Sequence, residues 1–369
     1  MQLRDRPTAL EPVPDADPEG YDRDPSKTVY LQLVPSTADA LTVPDSALWL
    51  AALRTAREPI AFEIVGSAAG IRLYFVAQQR DAPLLRSALA RATSYAYLDE
   101  VRPNPLNAYW DAVLKSDLKS RLSFDFRDAY LDGPDHLTLA DPPRRDHSPL
   151  EPLLETLATL PPYACGFYQA LFAPAERDWA RDFRAYLGSR TTSFETLSVP
   201  DAYGWPQQRV LTRREHPELS DAELAAHEHR AKPKHDPTTP LFALCARFGV
   251  IGLREHFPAR FGALKAVLAA YSAPPRRFQV LTRADYRAQG FETEDLRYLF
   301  RNRISYRPGQ IVSAAELAAL VHIPPPATLE LFRGDLGPGV ARLGRIEQVG
   351  RTAAAPATPA DGQLLGVNT

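Results

Sequence analysis

The sequence predicts an α+β protein with mixed or antiparallel sheets and helices mainly on one face, built from ferredoxin-like strand–helix–strand units that recur along the chain. Three observations predict it. Alternating apolar runs around a small Gly-containing loop close a hairpin over 61–76. An amphipathic helix and another strand follow over 81–101. Helix–break–strand modules of similar size then return around 150–172 and 261–281, which suggests internal repetition.

The elements follow in order. Residues 1–28 are acidic, rich in Pro and poor in large apolar side chains, so disorder is expected there. Thr28 to Pro35 reads as a strand. Ser46 to Thr55 reads as a short helix with Leu48, Leu50 and Leu53 as its apolar positions. In the hairpin, Ala61-Phe62-Glu63-Ile64-Val65 faces Ile71-Arg72-Leu73-Tyr74-Phe75-Val76. Asp81 and Pro83 signal a helix start, and Leu84, Leu85, Ala88, Leu89 and Ala92 share one face of it. Tyr95 to Val101 is a strand. Leu150, Leu153, Leu154, Leu157 and Leu160 form a helix stripe, Pro161-Pro162 ends it, and Tyr163 to Phe172 is a strand.

A helix is expected over 175–187 and a buried strand over 241–250. A helix face made by Phe261, Leu264, Leu268 and Tyr271 precedes a strand over 278–281. The expected division is a first α+β subdomain over 29–200, a polar bridge over 201–239, and a second subdomain over 240–349. A Pro/Ala linker follows over 350–362, and a strand-like segment, Gln363 to Thr369, reads as the start of a further domain.

Composition narrows the function. An apolar fraction of 45% and a charged fraction of 24% are those of a globular protein, and a net charge of −2 supplies no global field for nucleic acid or lipid. Only six of the 43 basic residues are Lys, which, with the abundance of Ala, Pro and Leu, reads as coding bias, since nothing clusters the arginines in space. Cys165 and Cys245 each fall inside a buried strand and read as small core residues. No apolar segment follows Met1-Gln2-Leu3-Arg4, and no run approaches 18 apolar residues, so the expected location is cytoplasmic.

Candidate chemistry is sparse. His216, His227, His229 and His235, with Glu223 and Glu228, could offer zinc ligands, but the spacing puts His227 and His229 on different faces and a solvated linker is the favoured reading. His136 and His147, beside Asp135, Asp141 and Asp146, lack a convergent nucleophile. There is no GxSxG, GxxxxGK[ST] or GxGxxG. No catalytic residue, metal ligand or cofactor is therefore assigned, and the chain alone is not expected to be an enzyme. Arg276, Arg277, Arg297, Arg301, Arg303 and Arg307, interleaved with Tyr298, Phe300 and Tyr306, are candidates for nucleic-acid contact.

Ser313 and Glu316 form a capping box ahead of Leu317, Leu320 and Val321, and Pro324-Pro325-Pro326 stops the helix. With His322 this makes a candidate docking helix. The segment resembles an element with Ser, Glu-Leu-Ala, Leu, His and Pro in that order, found in the N-terminal, pre-motor region of HerA/TraG-like type IV secretion ATPases, which transfer DNA in conjugation. The hairpin–helix–strand of 60–101, the Tyr168-Gln169 strand behind its Leu-rich helix, and Leu364-Leu365-Gly366-Val367-Asn368 occur in the same order. The resemblance implies a non-catalytic assembly or docking region carrying an ATPase core in cis. It further implies ATP and Mg only in that motor, ring assembly only with it, DNA and secretion-apparatus membrane proteins as partners, and peripheral placement at the inner membrane face through those partners. The rival expectation is a free-standing adaptor or nucleic-acid-binding module without the motor.

Overall fold

The computed structural model describes residues 27–35, 42–67, 70–93, 96–102, 104–107, 122–132, 150–161, 164–175, 192–196, 211–215, 229, 234, 236, 238–253, 255, 257, 261–262, 265–266, 277–281, 284, 287, 293–305 and 310–324. The strands are β1 (Thr28–Pro35), β2 (Ile60–Ser67), β3 (Gly70–Gln78), β4 (Ala96–Val101), β5 (Leu122–Asp132), β6 (Cys165–Pro174), β7 (Thr192–Thr196), β8 (Leu211–Glu215), β9 (Leu241–Leu253), β10 (Arg277–Val280) and β11 (Gln310–Ser313). The helices are α1 (Val43–Ala52), α2 (Ala82–Ala92), α3 (Glu151–Ala158), α4 (Thr293–Asn302) and α5 (Ala314–Leu320).

Local sequence explains the helix starts. Thr42 and Asp45 close a capping box on α1, with Pro at its first turn, and the Thr42 hydrogen bonds hold the Asp45 carboxyl below its ordinary pKa. The buried face of α1 is not the expected leucine set. Ser46, Trp49 and Leu50 turn inward, followed by Leu53 in the next turn, whereas Leu48 is 72% exposed. At α2 the expected Asp81 signal works differently. Its carboxylate accepts from the backbone N–H groups of Arg57 and Glu58, so it fastens the turn entering β2 rather than capping its own helix. Burial pushes the Asp81 carboxyl upward against the lowering effect of the Arg57 N–H.

All registered pairings are antiparallel, and nine strands form one sheet in the order β10-β5-β9-β6-β2-β3-β1-β4, with β11 added to β9. A separate hairpin joins β7 and β8. The order is the same from either edge inward. The first four strands, with α1 and α2, run β4-β1-β3-β2; β5, β6, β9 and β10 run β10-β5-β9-β6. Each set is a βαββαβ unit of ferredoxin-like order. In the second, α3 joins β5 to β6, and residues 257, 261, 262, 265 and 266 are helical between β9 and β10. Where recurring helix–break–strand half-units are expected, the sheet holds two whole units.

Strand order groups the chain differently from the expected boundary at 201–239. The units meet between β4 and β5, and the second one draws strands from both expected subdomains. The segment 176–240 is an insertion between β6 and β9 that carries the β7–β8 hairpin.

The units are sewn together by β2 and β6, which pair from Ile60↔Phe172 to Ser67↔Cys165. Gly66 faces Gly166 in that register, and α3 lies directly on them. A Cβ on Gly66 would stand 2.6 Å from Leu157 Cβ, and one on Gly166 would stand 2.5 Å from Leu157 Cδ2. The two glycines therefore let a helix of one unit press onto the seam.

Alternation divides the sheet into two faces. Leu31, Phe62, Ile64, Phe75, Tyr168, Phe172, Leu244 and Phe248 project to one face, where α1, α2, α3, Phe257, Phe261 and α5 cover them in one large apolar core. The opposite face carries Val65, Phe124, Phe126, Phe167 and Ile251, covered by Phe300 of α4. Helices lie mainly on one face, as expected, with α4 on the other.

Candidate functional site

The second face holds the chain's most concentrated polar chemistry below the surface. Glu63 on β2 pairs in register with Gln169 on β6, and Gln169 with Arg247 on β9, so three neighbouring strands carry one polar residue each in a single row. Arg303, just beyond α4, completes it. All four are about 1% exposed. Each strand residue sits inside an otherwise apolar run, which places it in the sheet with no access to water.

The row is closed by hydrogen bonds. Arg303 Nε donates to Glu63 Oε1 and Nη2 to Oε2, both at 2.8 Å, a bidentate fork that suits a planar guanidinium. Gln169 Nε2 also donates to Glu63 Oε1, and its own Oε1 accepts from Arg247 Nε at 2.6 Å. Arg247 then donates through Nη1 to the Ile304 carbonyl at 2.8 Å and through Nη2 to that of Leu299 at 3.3 Å. Arg303 Nη1 donates to the Arg301 carbonyl at 2.7 Å, and Gln169 Nε2 reaches the Phe300 carbonyl at 3.4 Å.

These acceptors explain how two cations are buried beside one carboxylate. The last carbonyls of a helix have no partner within it and carry the negative end of its dipole. Here they turn onto the two guanidinium groups. Aromatic faces add to this: Arg247 lies 5.4 Å from the Phe300 ring centroid and 5.8 Å from that of Phe126, and Arg303 lies 5.0 Å from that of Tyr30.

The backbone is bent to make this possible. Arg303 has φ 56°, the left-handed region, at a cost of roughly 1–2 kcal/mol for an L-residue. Ile304 N–H reaches back to the Leu299 carbonyl at 2.9 Å, and Arg303 N–H to that of Phe300 at 3.3 Å. That pair of bonds is a Schellman cap, whose left-handed position is usually glycine.

The expected arginine patch is therefore divided. Arg303 points inward, which corrects its assignment as a surface contact: both edges of its guanidinium are used on Glu63 and carbonyls. Arg301 is exposed and donates to Asn107 Oδ1 at 2.7 Å, and Arg297 is half-buried. Arg277 opens the edge strand β10. Arg276 and Arg307 lie outside the described residues. Tyr298 is 62% exposed, while Phe300 is fully enclosed.

The candidate docking helix is built as its sequence dictates but docks within the chain. Ser313 Oγ accepts from Glu316 N–H at 3.3 Å and Glu316 Oε2 accepts from Ser313 N–H at 2.7 Å. Leu317 and Leu320 are fully buried, and α5 packs on α1 and β9, so these side chains are not available to a second protein. Lys234, from the expected solvated bridge, is instead buried; its Nζ donates to the Ile311 carbonyl at 2.7 Å and pairs with Glu316 Oε1 at 3.2 Å. His322 is buried with Nδ1 3.1 Å from Ser46 Oγ, and burial lowers its pKa to about 4. Tyr168 O–H donates to the Leu320 carbonyl at 2.9 Å across the same core.

Of the histidines considered as metal ligands, His229 is exposed and His216, His227 and His235 lie outside the described residues, as do His136 and His147. Among the described residues no three His, Cys, Asp or Glu are grouped to hold a metal ion, and no helix is long and apolar enough to cross a membrane. Cys165 and Cys245 are buried and not disulfide-bonded; Ser305 Oγ donates to Cys245 Sγ at 3.5 Å, and burial pushes the Cys165 thiol well up. Sequence reasoning missed the Glu63–Gln169–Arg247 row. The available signal was one polar residue at an interior position of each of three apolar strands. No family model matches the chain, and no curated protein matches it.

Proposed function

We propose that the chain is the non-catalytic assembly and docking region of a DNA-translocating type IV secretion ATPase and works joined to a phosphate-loop motor. The observation that carries this reading is the Ser313–Pro324 element. Its resemblance to the pre-motor region rests on Ser313, Glu316, Leu317, Ala318, Leu320, His322 and Pro324. Each has a structural use here: cap, core or buried hydrogen bond. A continuous sheet with a charge row buried at its centre suits a frame that positions other parts.

Recovery of the protein from its own cells through an N-terminal tag tests the proposal. The expected product is a polypeptide longer than 369 residues, or a stable complex, that contains GxxxxGK[ST] and turns over ATP. Recovery of the 369-residue chain with no such motif overturns it. That outcome would leave the adaptor or nucleic-acid-binding reading, which Tyr298 and Arg301 favour because both are exposed, three residues apart on α4.

A further inference from the structure

We propose that the C-terminal end of α4 is a latch: Arg303 fastens it to the first ferredoxin-like unit, Arg247 of the second unit grips it in turn, and the helix can leave the second face of the sheet as one piece while the sheet stays folded. Aromatic and polar contacts gather at the C-terminal end of α4. Phe300 enters the aromatic group of Phe124, Phe126 and Phe167, with ring centroids 5.5, 5.9 and 5.7 Å away. Arg303 then ties the helix to the first unit. It holds Glu63 in the first unit and the carbonyl of Arg301, and it touches Asn104 Oδ1 at 3.2 Å in the segment between the units. Arg301 adds Asn107 in that same segment. From the second unit, Arg247 grips the Leu299 and Ile304 carbonyls.

The left-handed backbone at Arg303 is the second argument. Glycine would satisfy the cap without strain, yet the position holds an arginine whose side chain, from that conformation, forks onto the buried carboxylate. The strain is retained by the fork to Glu63. Losing the fork favours relaxation of the cap, and the helix end then loses its polar anchors together.

The opposite face is built for permanence. There the helices bury apolar stripes along their length, and α3 lies against glycines at the seam. The two faces should therefore open with different free energies, α4 belonging to the low end.

Hydrogen exchange on the whole chain tests this. Glu63→Gln keeps the shape and removes the charge, and Arg303→Gly keeps the left-handed cap and removes the fork. In both, amides of 297–305 should exchange about tenfold faster or more, while those of β2, β6, β9 and α5 keep their protection. Arg303→Lys, with a point charge in place of the fork, should fall between. Unchanged exchange in 297–305 overturns the proposal. So does equal loss of protection in α4 and in β2, β6 and β9, because the row would then be ordinary core. Failure of Arg303→Gly to fold overturns it too, since a latch is dispensable to the sheet it closes.

Discussion

The two faces of the sheet are made by the same strands, one residue apart, and they solve burial in opposite ways. On one, Phe62, Ile64, Tyr168 and Phe248 meet helices from both units in an apolar core. On the other, Glu63, Gln169 and Arg247 occupy the alternate positions and are closed by a single helix end. Apolar burial is forgiving, because removing a contact costs the area and the cavity. A buried charge row is not, since each member depends on a neighbour to replace water. The first face supplies stability. The second supplies a requirement that particular distant segments arrive together.

The comparison breaks most sharply at Glu63. Glu63→Ala should destabilise by up to about 3–5 kcal/mol, the cost of an unpaired Arg303 in the interior, less what is regained when α4 releases that cation to water. Urea midpoints measure this, and a loss below that of a core leucine would show that release of α4 hydrates Arg303 while the sheet stays folded. On the apolar face, Leu317→Ala should cost on the order of 2–5 kcal/mol, with the spread set by how far α1 and β9 close the cavity. A neutral result would show that α5 is not packed.

His322 adds a pH dependence to that same face. Its folded pKa of about 4 lies below the unfolded value near 6.5, so the unfolded chain binds the proton more readily. Its contribution is complete above the unfolded value and is lost as pH falls through about 6.5 to 4, roughly 3 kcal/mol in all. Denaturation at pH 7 and pH 4.5 should show a smaller loss in His322→Gln, which can still bond Ser46; equal losses would place the proton elsewhere. The smallest effect is expected at the cap. Ser313→Ala should cost about 1 kcal/mol in thermal or urea unfolding, because only one of the two capping bonds uses its hydroxyl.

The apolar face was largely legible in the sequence, since periodicity reports it directly. The hairpin, α2, the leucine stripe of α3 and the capped α5 fall where their patterns place them. Leu48 misled because, on α1, Trp49 and Leu50 lie inward and leave the leucine between turns outside. β5 was not anticipated: Asp125, Arg127 and Asp128 interrupt its apolar run, although Asp125 and Arg127 pair with each other at 2.7 Å and Arg127 lies over Phe261. The second face was illegible for a different reason. A polar residue within a strand gives no local sign of its partner, and Glu63 finds Gln169 106 positions away and Arg303 240 positions away. Arg303 read as surface because arginine in a basic stretch usually is. With its backbone left-handed, the side chain turns inward onto Glu63.

The 240-residue separation between Glu63 and Arg303 has a temporal meaning. At ribosomal speeds of about 5–20 residues per second, Arg303 is synthesised roughly 12–48 s after Glu63. The first βαββαβ unit has all its strands long before then, and through that interval its second face has no α4. A carboxylate at the centre of β2 stays hydrated while it waits, where a leucine would present a bare apolar strand to other nascent chains. The residue that makes the finished interior demanding is the one that keeps the unfinished sheet wet.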